Sequence, residues 1–162
     1  MSSIAHCTLI PILKLNALRI AAVPKKSWFS RREKDTFYDF LDANGTPCLE
    51  FEGGGYYCVM ALTWLEEKKN IDLMKSEHND LAHFLSETRE GACFILTKSV
   101  RDRYLEFISP DENSAQELTR YFEEFNEQED PDSGQGIIDA IKWLKDCLDR
   151  INEGQVGILM IG

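Results

Sequence analysis

The chain has 162 residues, 43% of them hydrophobic, with 28 Asp/Glu against 18 Lys/Arg and a formal net charge of -10. That length suits one domain with its own core, and the composition is that of a globular rather than a disordered protein. So acidic a chain disfavours general binding to nucleic acid or to anionic membrane, so neither is expected as a partner.

In chain order, Ile4 to Leu13 (IAHCTLIPIL) is rich in branched apolar residues and predicts a strand. Pro11 lacks an amide donor and belongs at an edge or a strand end. Lys14 and Arg19 interrupt the apolar residues that follow, so no signal peptide or membrane span is expected. NALRIAAV adds a short helix before Pro24. The segment Pro24 to Lys34 is the most basic, surrounding Trp28 and Phe29 with Lys25, Lys26, Arg31 and Arg32. Its two readings are a polyanion or lipid contact and a solvated loop with one aromatic tucked inward; the overall charge favours the loop. A helix follows, supported by Ser30 with Glu33 as a capping box, by Phe37, Phe40 and Leu41 at helical spacing, and by Gly45 as a left-handed cap. The competing signal is a hairpin at Asn44-Gly45.

PCLEFE alternates Leu49 and Phe51 against Glu50 and Glu52, which predicts a strand with one wet face. YYCVMALTWLEEKKN predicts a helix of about four turns. SEHNDLAHFLSETREG predicts another, with Ser76 as N-cap and Gly91 as C-cap. Ala92 to Thr97 is an apolar strand, SVRDRYLEFIS fits helix and strand alike, and EDPDSGQG is a loop. SAQELTRYFEEFNEQ opens with a capping box, Ser114 with Glu117, and sets Leu118, Tyr121, Phe122 and Phe125 on one side. Ile137, Ile138, Ile141, Leu144, Leu148 and Ile151 keep helical register, and the closing VGILMIG is apolar enough for both faces to be covered. Strands at both ends around mostly helical sequence predict an α+β fold: a single α-rich domain, residues 1–162, with one small sheet flanked by helices.

The five cysteines, Cys7, Cys48, Cys58, Cys93 and Cys147, are scattered without a CxxC pair. Neither a zinc site nor a disulfide framework is predicted, and reduced thiols in a cytoplasmic protein are the economical reading. His78 and His83 lie five apart, roughly 140° around a helix, and make a poor metal pair. No metal and no cofactor are expected.

Two regions carry functional readings. Gly53, Gly54 and Gly55 stand between a strand and a helix, the layout of a phosphate loop, yet no GKS or GxGxxG follows and Glu50 and Glu52 would repel an anion. A sharp turn is favoured there; a small-molecule or phosphate site, or an enzyme site, lined by Gly53, Gly54, Gly55, Tyr56 and Cys58 with Tyr57 and His78, is the alternative. Cys58 shares a helical face with Leu62 and Leu65, which favours a buried, inert thiol over a nucleophile. The second region is the acidic pole: residues 106–132 hold ten Asp/Glu and one cation, Arg120. Self-repulsion there would be relieved by a cationic partner. With no complete catalytic constellation visible, the expectation is a non-enzymatic cytoplasmic protein-binding module. It would set Glu117, Tyr121, Glu123, Glu124 and Glu127 against a basic protein partner. An inhibitor or immunity-type protein that imitates nucleic-acid charge is one concrete form.

Overall fold

The computed structural model describes residues 4–25 and 35–162. Two strands from opposite ends of the chain make the centre of its sheet. β1 (Ala5–Pro11) pairs antiparallel along its whole length with β4 (Gln155–Ile161), from Ala5 opposite Ile161 to Pro11 opposite Gln155. β3 (Ala92–Thr97) pairs with the other side of β4, and the two-residue β2 (Thr46–Pro47) with the other side of β1. The order is β2-β1-β4-β3, antiparallel throughout. Every residue of β4 after Gln155 is buried, as a central strand covered on both faces requires. Pro11 sits at the strand end, where its missing N–H costs no ladder bond.

Because side chains alternate along a strand, the sheet divides the core in two. Ile10, Cys93, Ile95, Val156, Ile158 and Met160 face α1 (Leu15–Ala22), α2 (Phe37–Asn44) and α4 (Asn79–Arg89). Ala5, Cys7, Leu9, Leu96, Leu159 and Ile161 face α3 (Gly55–Lys69), α5 (Lys98–Tyr104), α6 (Ala115–Asn126) and α7 (Ser133–Asp149). The fold is α+β, one small sheet flanked by helices, as the sequence predicts. All six residues in predicted register are buried, five of them on α7 and Ile151 just past its end, each such side chain contributing about 1.5–3 kcal/mol. No helix among the described residues is long and apolar enough to cross a membrane.

Several local expectations need correction. PCLEFE is not a continuous strand: the β2 ladder covers Thr46 and Pro47, one further bond joins the Cys48 N–H to the Cys7 carbonyl, and Phe51 makes a single bridge to Ala5. Leu49 turns outward (76% exposed) while Cys48 and Phe51 turn in. The helix at α2 forms as expected, but Gly45 is extended (φ -118, ψ 170), not left-handed. Its glycine is required by space: a Cβ there would lie 2.4 Å from Thr8 Cγ2 and 2.8 Å from the Leu41 carbonyl oxygen. α4 begins at Asn79 rather than after Ser76, whose Oγ accepts the His78 N–H. Its left-handed cap is Glu90 (φ 53), one residue before Gly91. The ambiguous SVRDRYLEFIS is helical, α5 running into a 3-10 turn at Leu105–Phe107. Half of the expected loop EDPDSGQG is the first turn of α7, its glycines serving helix packing rather than flexibility. The Ser30–Glu33 capping box and the basic cluster from Lys26 to Lys34 lie outside the described residues.

Candidate functional site

α6 is held at both ends by local chemistry. Ser114 Oγ accepts the Glu117 N–H at 3.4 Å, the N-cap the sequence predicts. At the other end Glu127 takes the left-handed conformation (φ 53) and its N–H closes on the Glu123 carbonyl. Leu118 and Phe122 are buried beneath the helix. Phe122 receives Tyr56 edge-on at 5.7 Å and Tyr57 at 5.9 Å, both from the first turn of α3.

The five residues expected to meet a partner do not share one face. Glu117, Tyr121 and Glu124 follow at spacings of four and three and lie on one flank. Glu123 is two residues beyond Tyr121, about 200° around the helix, and Glu127 follows Glu123 on that other flank. The flank of Tyr121 is the built one. Its ring stands edge-on to Trp64 at 5.0 Å, its hydroxyl donates to Glu67 Oε2 at 2.9 Å, and Lys68 Nζ lies 5.9 Å from the ring centroid. Trp64 Nε1 in turn donates to Asn113 Oδ1 at 3.1 Å, tying α3 to the loop before α6. Burial first, then the bond to Glu67, push the Tyr121 hydroxyl well above the ordinary tyrosine range, so it stays a donor.

Phe125, expected inward with Leu118, is 58% exposed beside Tyr121, and Tyr56 is 39% exposed. Two rings at the surface among carboxylates are the part of this site that residue-by-residue reading missed. Helical arithmetic held no such signal: Phe125 lies about 60° from Phe122 and about 20° from Leu118, on the strip α6 buries, and it is exposed in the last turn of the helix. Among the described residues no salt bridge involves Glu117, Glu123, Glu124, Glu127 or Glu129. Among the described residues, the one ion pair of the stretch 106–132 is Asp111 with Lys142, at 4.0 Å.

The glycine turn is explained by its neighbours. A Cβ on Gly53 would fall 2.5 Å from the Phe51 ring, and Gly54 has φ +92, a left-handed value that L side chains rarely adopt. Phe51 rests 5.6 Å from the Trp143 ring, and Trp143 Nε1 donates to the Leu49 carbonyl. Tyr57 then carries the turn to the acidic loop, its hydroxyl donating to Asp130 Oδ2 at 2.7 Å. That bond, with some burial and the charges of Asp130 and Asp132, raises the Tyr57 hydroxyl to about 12. Cys58 is fully buried, and burial alone pushes its thiol far up, which leaves it a poor nucleophile. His78 does not join this turn. It lines a cavity of about 400 Å³ with Leu15, Arg19, Glu77 and Asp80, between α1 and the start of α4. A second cavity, about 360 Å³ at the end of the central strands, gathers His6, Tyr38, Glu50 and Arg89. Burial lowers the His6 ring below its ordinary value against the raising charge of Glu50.

The cysteines are less scattered in space than in sequence. Cys7, Cys48 and Cys147 are all buried, and their three sulfurs lie within 4.8 Å of one another. Positions 7, 48 and 147 come from β1, the segment after β2, and α7, so no local spacing could have announced them. Comparison with protein-family models, with curated proteins and with solved structures finds no match to this chain.

Proposed function

We propose that this chain is a non-enzymatic cytoplasmic binding module that docks a basic protein on the Tyr121 flank of α6. The observation that carries the reading is the pair of exposed rings, Phe125 and Tyr56, set among carboxylates that form no ion pair among the described residues. Aromatic anchors inside a charged surround are the common anatomy of a protein contact, the ring supplying residence and the charges supplying encounter rate. Glu67, Glu117 and Glu124 are the carboxylates on the right side to surround Phe125, and Tyr121 is fixed between them by Trp64 and Glu67. Lys68, also on this flank, is occupied with the Tyr121 ring. Against a nuclease, such a surface would act as an inhibitor or immunity-type protein by presenting nucleic-acid-like charge.

The test is capture from a lysate of the native cell at low and high salt, repeated with charge-reversed and truncated variants. Support requires a Lys/Arg-rich partner released by salt, lost on Glu117→Lys with Glu124→Lys and on Phe125→Ala, and retained on Glu123→Lys with Glu127→Lys. Capture indifferent to both salt and Phe125→Ala refutes the reading.

A further inference from the structure

The geometry points to a soft-metal site in the core: the sulfurs of Cys7, Cys48 and Cys147 bind one Cu(I) ion in three-coordinate thiolate ligation. Buried cysteines commonly serve as small hydrophobes, and Cys93 does so on the opposite face of the sheet, alone in the other half of the core. The three-sulfur cluster differs in its convergence. Its members arrive from three separate elements, are at most 7% exposed, and bring their ligand atoms within 4.8 Å.

Dimensions agree with one ion. A metal–sulfur bond of about 2.3 Å sets the sulfurs of a planar three-coordinate site about 4 Å apart, inside the observed span. The surroundings are held for the sulfurs too. The Cys48 N–H donates to the Cys7 carbonyl at 2.8 Å, fixing the two ligand backbones against each other. Gly157, on the neighbouring β4, leaves room above Cys7, where a Cβ would come within 3.2 Å of its sulfur. Metal binding releases the S–H protons of Cys7, Cys48 and Cys147 to solvent.

The donor set selects the ion. Thiolates are soft and favour Cu(I), Zn(II) or iron–sulfur clusters. Structural zinc closes on four donors, and the grouped set here is three. Three-coordinate sulfur satisfies a monovalent d10 ion as it stands. Cys48, 7% exposed beside the sheet edge, is the least covered of the three.

The experiment uses the reduced full-length protein under anaerobic conditions, with Cu(I) delivered by bicinchoninate as a competing chromophoric chelator. One Cu(I) per chain should leave the chelator, produce sulfur-to-copper charge-transfer absorption in the near ultraviolet, and protect Cys48 from iodoacetamide. Cys48→Ser should weaken binding by about 100-fold or more, a loss at least as large as removal of an outer-shell partner causes. Cys93→Ser should leave it unchanged. Cys48 is at the sheet edge, so its variant can be checked for native circular dichroism, and the wild-type stoichiometry stands without any variant. Copper remaining with the chelator, binding that survives Cys48→Ser, or Zn(II) displacing Cu(I) at equal concentration each overturns the assignment.

Discussion

Gly134 brings α7 against the first turn of α6, so Gly134→Ala asks whether α6 is held by that approach. A Cβ at this position would sit 1.9 Å from the Ala115 carbonyl oxygen, 2.8 Å from its carbon and 2.5 Å from Thr119 Oγ1. The first two atoms are backbone and cannot swing aside. The same substitution also strains the bond from the Gly134 N–H to Thr119 Oγ1, now 3.2 Å. Alanine is the better helix former by about 1 kcal/mol, an upper limit in a first turn. Overpacking against rigid atoms costs about 1–3 kcal/mol, and a 1.9 Å approach belongs near the top of that range. The clash wins, and the net expectation is a loss of about 2 kcal/mol. In urea, with a slope of about 2 kcal/mol/M, the midpoint should fall by about 1 M at unchanged slope. Gly136→Ala is the internal comparison, because the three atoms nearest its Cβ all belong to the Tyr57 ring, the first at 2.5 Å, and a side chain can yield. It should cost less than Gly134→Ala. If Gly134→Ala is neutral or stabilising, α6 does not rest on α7 as described, and the placement of the Tyr121 flank fails with it.

The remaining expectations concern the same end of the molecule. Tyr57→Phe removes the donor to Asp130 and should lower stability at pH 7 by about 1 kcal/mol, read from urea unfolding. The Tyr57 hydroxyl is raised to about 12 in the folded protein, so its contribution is complete below the unfolded tyrosine value near 10 and fades between pH 10 and 12; the gap between wild type and Tyr57→Phe should narrow over that interval, and a constant gap would contradict the bond. Glu127→Gly relieves a left-handed glutamate, gaining up to about 1 kcal/mol in thermal or urea unfolding after the flexibility of glycine in the unfolded chain is subtracted. It should also leave partner capture intact, since Glu127 lies off the Tyr121 flank. Gly53→Ala drives a Cβ into the Phe51 ring and should destabilise by about 1–3 kcal/mol, while a panel of phosphate compounds produces no rise in melting temperature in the wild type.

Fold class was legible because periodicity and burial agree wherever an element crosses the core. Ala92–Thr97 forms over the predicted residues, α7 buries its five residues of the predicted register, and the apolar C-terminal run is central in the sheet. Legibility failed where a single contact decides the backbone. Gly45, Gly134 and Gly136 look like caps or loop residues in a sequence, and each is glycine because another segment passes too close for a Cβ. Leu49 looks like an inward strand residue, and its neighbour Cys48 takes the inward side instead. At the site, charge content was readable and direction was not. A count of carboxylates along α6 cannot tell Glu124 from Glu123, though about 100° per residue sends them to different sides. The three-sulfur cluster had no sequence signal at all, because sulfurs 41 and 99 positions apart meet only through the antiparallel β1–β4 centre and the helix laid on it.

The phosphate-loop resemblance and the acidic pole enter the sequence as rival readings, and the fold joins them into one construction. Gly53 and Gly54 reverse the chain so that α3 starts with Tyr56 and Tyr57 facing α6. Tyr56 donates to Asn126 in the last turn of α6, Tyr57 to Asp130 just beyond it, and both rings bracket Phe122. A turn with these obligations presents its tyrosines, not its backbone amides, to the rest of the molecule. The glycines therefore act on the Tyr121 flank at a distance of one helix, by setting the two tyrosines that hold the C-terminal end of α6. It follows that Gly54→Ala, strained at φ +92 yet free of any neighbour within 4 Å, should loosen the Phe125 end of α6 more than the Ser114 end. Amide exchange along Glu123 to Glu127 should quicken while exchange along Gln116 to Thr119 holds; equal change at both ends would separate the turn from the helix and dissolve the connection.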